Sequence, residues 1–106
     1  MKLNLNKKEV VKYEGNEINF SFKTLSAEDY LKIQTIQSEN EKNNIEVILQ
    51  VVESFLVSCD LVLEDESGDI FFEKEKSKWV RSLPFQLVNA IFNKILGVVK
   101  EEEEKK

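Results

Sequence analysis

Apolar positions recur at two different spacings along this chain, and the change of spacing divides it. Up to residue 22 they alternate with polar ones: Leu3 and Leu5, then Val11 and Tyr13, then Ile18, Phe20 and Phe22. A period of two places them on one face of a strand. Between the runs lies Glu14-Gly15-Asn16-Glu17, where Gly15-Asn16 supplies the two residue types that tolerate positive φ. The segment therefore predicts an antiparallel hairpin with a four-residue loop. From Leu25 the spacing becomes helical. Ser26 predicts an N-cap accepting from the Asp29 amide, Glu28 and Asp29 face the positive end of the helix dipole, and Leu25 can meet Tyr30 as a hydrophobic staple. Tyr30, Ile33 and Ile36 form the partly apolar face of this helix, which the polar run Gln37 to Asn44 stops.

Asn43-Asn44-Ile45-Glu46 is a second cap signature. It opens a helix over 44–59 in which Ile45, Ile48, Leu49, Val52, Phe55 or Leu56, and Cys59 fall at helical spacing, while Val47 and Val51 widen the apolar surface. Leu61-Val62-Leu63 and Ile70-Phe71-Phe72 flank a turn-prone Glu64 to Asp69, which fits a short hairpin or an irregular loop. Charged residues 73–78 lead into Trp79-Val80 on a short helix. Pro84 suits the first turn of a final helix over 85–99, with Val88, Ile91, Phe92, Ile95 and Val99 on its apolar face and Leu87 and Leu96 beside it. The expected fold is α+β: an N-terminal antiparallel hairpin or small sheet packed on three to four helices, with helices 44–59 and 85–99 in contact. Residues 1–100 form one globular domain. Residues 101–106 form a charged, flexible tail, since four consecutive glutamates after a helix C-terminus oppose the dipole and repel one another.

Composition then narrows the function. Of 106 residues, 42% are hydrophobic and 33% charged, the balance of a chain that folds. The net charge of −5 disfavours nucleic acid and an anionic membrane surface, because both select Lys and Arg. Nothing approaches the ~20 apolar residues of a spanning helix, and no apolar leader is visible, so a cytoplasmic location is expected. Cys59 is the lone cysteine and reads as a small buried hydrophobe.

Histidine is absent, which removes the usual general base and the commonest zinc ligand. Gly15, Gly68 and Gly97 are too scattered for a phosphate loop. The acidic stretch around Gly68 fails as a calcium loop, since Leu63 and Lys74 would fall where the ion needs carboxylates. Adjacent carboxylates such as Glu28/Asp29 and Glu64/Asp65 diverge and read as surface charge. The sequence thus points away from an enzyme, a metal or a cofactor. Trp79, with Phe71, Phe72, Leu83 and Phe85 nearby, is the cluster that reads either as core or as an apolar groove for a protein partner.

A β-rich start leading into Leu25-Ser26-Ala27-Glu28-Asp29-Tyr30, a helix ending in Phe55-Leu56-Val57-Ser58, the acidic turn Asp65-Glu66-Ser67-Gly68, then Leu83-Pro84 and a closing amphipathic helix follow one another here. That order is similar to the tail assembly chaperones of long-tailed phages. The resemblance implies a non-enzymatic protein that holds the helical tape measure protein soluble in the host cytoplasm while tail subunits polymerise, without ATP. Its implied partners are the tape measure protein and the major tail protein, with homo-oligomers as a further option. In many such phages the short form is also extended by a programmed frameshift near its end. The alternatives are a structural tail or virion component, or a small protein-binding adaptor.

Overall fold

A computed structural model describes residues 1–97, and the expected tail at 101–106 lies outside them. Strand β1 (Asn6–Tyr13) pairs antiparallel with β2 (Asn16–Lys23) over their full length, from Asn6 opposite Lys23 to Tyr13 opposite Asn16. Two residues make the turn, not four. Positive φ falls on Glu14 (52°) and Gly15 (83°), one position earlier than the sequence suggests, so Asn16 is already in the strand. Two successive left-handed residues give the reversal whose twist matches right-twisted strands. Leu3 and Leu5 precede β1 and are exposed.

Helix α1 (Ala27–Glu39) opens on the expected cap, extended into a reciprocal pair: the Asp29 amide donates to Ser26 Oγ at 3.0 Å, and the Ser26 amide donates to Asp29 Oδ2 at 2.9 Å. Asp29 is therefore buried, and the Ser26 amide first, then its hydroxyl and Lys23, hold its carboxyl below the ordinary range against the opposing effect of burial. Ile33 and Ile36 face the core as expected. Tyr30, placed on the same face by its spacing, is half exposed.

Helix α2 (Asn44–Phe55) starts where Asn43 Oδ1 accepts from the Glu46 amide at 3.1 Å. It ends four residues before the helical spacing predicts. Leu56 is already extended, and β3 (Leu56–Cys59) follows with no loop, antiparallel to β2, completing a sheet in the order β1-β2-β3. Phe22 lies opposite Leu56 and Ser21 opposite Ser58, so Val57 is an extra residue that bulges out, 52% exposed. The bulge lets both Leu56 and Cys59 turn inward. Cys59 is buried as expected, but on a strand.

A small hairpin, β4 (Leu63–Asp65) and β5 (Gly68–Ile70), resolves the ambiguous segment. Its turn uses the Asp65 carboxylate, which accepts from the Glu66 amide at 2.7 Å and the Ser67 hydroxyl at 3.3 Å, and Gly68 has φ of 125°. Helix α3 (Lys76–Ser82) and helix α4 (Phe85–Leu96) are separated by Leu83-Pro84. Gly97, left-handed at φ 70°, caps α4 at Leu96 rather than at residue 99. Its buried face is Leu87, Val88, Ile91 and Ile95, with Phe92 half-buried; Val99 lies outside the described residues.

The fold is α+β, with the three-stranded sheet on one side of four helices. Helix α2 is the hub: it packs on α1, α3 and α4, and α4 in turn reaches β1. The core joins Val11, Ile18, Phe20 and Phe22 of the sheet to Val51 and Val52 of α2, Trp79 and Val80 of α3, and Ile91 of α4.

Candidate protein-binding surface

The aromatic cluster divides. Trp79 is fully buried; its indole N–H donates to the Leu61 carbonyl at 3.0 Å, and its ring meets Phe72 edge-on with centroids 5.1 Å apart. Leu83 is buried in the same core. Phe71 is half-buried beneath the Lys74 ammonium, 5.1 Å from its ring, and Lys76 lies 5.5 Å over Phe72. Only Phe85, at the start of α4, is half exposed. Three of the five residues thus form core, and the solvent-facing apolar surface is mostly elsewhere.

Beside that core, α3 is fastened to α2 by one guanidinium. Arg81 donates to both oxygens of Glu46 (3.1 and 2.8 Å) and to Glu53 Oε2 (2.9 Å), while Ser77 adds a bond to Glu53 and Gln50 one to Glu46. Glu46, Gln50 and Glu53 are spaced so that they share one side of α2. The Arg81 hydrogen bonds, and after them that of Gln50, hold the Glu46 carboxyl at about 2 against an ordinary 4.5. Two carboxylates near a cationic partner are thus committed to a hydrogen-bonded fastening. Because the folded value is the lower one, the stability this pair contributes is present above about pH 4.5 and is lost as pH falls toward 2. Arg81→Met is expected to move the Glu46 titration up toward its ordinary value, followed by carboxyl-detected NMR. An unmoved titration would mean that Arg81 is not what holds the carboxylate ionised.

Among several open clefts, one of about 390 Å³ lies between the end of α1, the start of α2 and the middle of α4; larger ones of about 530 Å³ lie over the sheet at Val10, Phe20 and Ser58 and beside Tyr13, Leu63 and Leu87. Val47, Ile48 and Phe92 form the apolar lining of the cleft between the helices, and Gln37, Glu41 and Asn44 its exposed polar rim. The short polar connection 40–43 holds the end of α1 beside the start of α2, with the Asn40 side chain donating to the Ile36 carbonyl at 3.0 Å. Ile45 and Leu31 are exposed on the same helices, at 54% and 64%. The spacing of Phe92 and Ile48 identifies them as apolar-face residues, but nothing in the sequence shows that their helices leave a gap. Among the described residues no group of His, Cys, Asp and Glu is arranged to hold a metal, and no helix is long and apolar enough to cross a membrane.

Comparison with known proteins finds no family model, no curated protein and no solved structure that matches this chain.

Proposed function

We propose that this chain is a non-enzymatic tail assembly chaperone that keeps the tape measure protein of a long-tailed phage soluble in the host cytoplasm during tail assembly. The observation that carries the reading is the open cleft between helices α1, α2 and α4, where half-buried Ile48 and Phe92 over buried Val47 face a polar rim. A long helix awaiting its tail subunits exposes apolar side chains at helical spacing, and a trough between helices receives such side chains. The polar rim and the net charge of −5 would keep the complex dispersed. The order of elements that resembles the chaperone family adds support from the sequence.

Co-expression with a fragment of the tape measure protein is expected to raise that fragment's soluble yield, and the complex should survive moderate salt. Charges on a rim are screened beyond about 8 Å at physiological ionic strength, whereas desolvated apolar contacts are not. Ile48→Gln, at a half-buried position, should abolish the gain while leaving the fold intact by circular dichroism. A complex that dissolves between low and physiological salt would refute the trough mechanism. Stoichiometric retention of the chain in purified particles would make it a structural tail component instead.

A further inference from the structure

Among the described residues the first strand of the sheet has one neighbouring strand. In the order β1-β2-β3, β1 is paired with β2 along all eight residues, and among the described residues no strand lies on its other side. An edge of this length offers alternate backbone N–H and C=O groups to any extended chain that can approach it.

The side chains decide which chain that is. Lys8, Val10 and Lys12 project from the sheet face opposite the core, since their neighbours Val11 and Ile18 are buried; all three are exposed. Lys7, Lys8 and Lys12 form no ion pair among the described residues, whereas the strand's one acid, Glu9, is held by Lys94 at 3.6 Å. On a chain whose net charge is −5, the strand itself carries three lysines to one glutamate, with Glu17 of β2 opposite Lys12.

Pairing with a second copy is disfavoured in the two antiparallel registers that overlap most of β1, and a two-fold through Val11, which opposes no like charges, overlaps less of the strand. Residues directly opposite in an antiparallel pair share a face, and like charges there repel. A two-fold through Val10 sets Lys8 against Lys12 of the other copy; a two-fold through Glu9 sets the two Glu9 side chains against each other. A strand carrying acids four residues apart around an apolar residue, Glu-x-Val-x-Glu, answers Lys12, Val10 and Lys8 in turn.

We infer that the edge of β1, which no strand among the described residues covers, is a docking site for an extended acidic segment of a partner protein, which adds a fourth strand to the sheet. This site is separate from the helical cleft and does not depend on the tape measure reading. The probe is a blocked peptide, Thr-Glu-Thr-Val-Thr-Glu-Thr, titrated into the full chain by amide NMR, with Thr-Lys-Thr-Val-Thr-Lys-Thr as its counterpart. The acidic peptide should shift β1 amides, slow their hydrogen exchange and bind more weakly as salt rises. In the double variant Lys8→Glu/Lys12→Glu, whose fold is checked by circular dichroism because the new glutamate at position 12 faces Glu17 across the hairpin, its affinity should fall about tenfold and the lysine peptide should become the better ligand. Equal responses to both peptides, shifts that avoid β1, or no response at the highest soluble concentration would overturn the proposal. So would a concentration-dependent dimer paired through β1, which would assign the edge to a second copy.

Discussion

Trp79→Ala is expected to cost about 3–5 kcal/mol. The side chain is fully buried, so its removal leaves a cavity beside Phe72 that the surrounding helices can only partly fill. It also strips the Leu61 carbonyl of its donor. A domain of this size has a total stability on the order of 5–15 kcal/mol, so the variant should be marginal in urea titrations at room temperature. Trp79→Phe separates the two contributions, because it keeps much of the bulk but orphans the carbonyl, at a cost of about 1–3 kcal/mol. A loss below about 1 kcal/mol for Trp79→Ala would show that α3 does not seal the core.

Ile91→Ala should follow, at about 2–5 kcal/mol, through a cavity on the face of α4 that meets α2 and the sheet. Leu49→Ala tests whether burial governs the cost. Both residues lie at apolar-face spacing, but Ile91 is fully buried while Leu49 only borders the core, so Leu49→Ala should cost roughly half as much. Equal losses in chemical denaturation would mean that the core extends past Leu49 to the solvent side of α2.

What the sequence made legible was local chemistry. Ser26 and Asn43 announce their caps because each needs only an oxygen three residues ahead of an amide, and the alternation Ile18, Phe20, Phe22 survives because one face of β2 must be buried. The errors arose where the fold overrides local preference. Phe55 to Cys59 continues the apolar spacing of α2 well enough to read as helix, yet β2 would otherwise lack a partner along its second edge, and Leu56–Cys59 supplies it. Tyr30 and Ile45 have helical apolar spacing but stay half exposed among the described residues. The cleft was invisible for a related reason: its existence depends on the distance between α1 and α4, which no pattern within either helix records. Likewise, Trp79 and Phe85 look alike in sequence, but Trp79 lies on the core-facing side of α3 while Phe85 opens α4 at the surface.

The direct junction of α2 and β3 bears on the order in which the molecule assembles. Hairpin β1-β2 closes over a two-residue turn and needs nothing distant, but Ser21 and Ser58 are 37 positions apart, with both α1 and α2 between them. Closing that separation costs chain entropy before any contact repays it. With no slack between Phe55 and Leu56, the third strand can reach its register only when α2 has its final length and direction. Completion of the sheet and docking of the central helix are then one cooperative step, and a residue inserted at that junction would uncouple them.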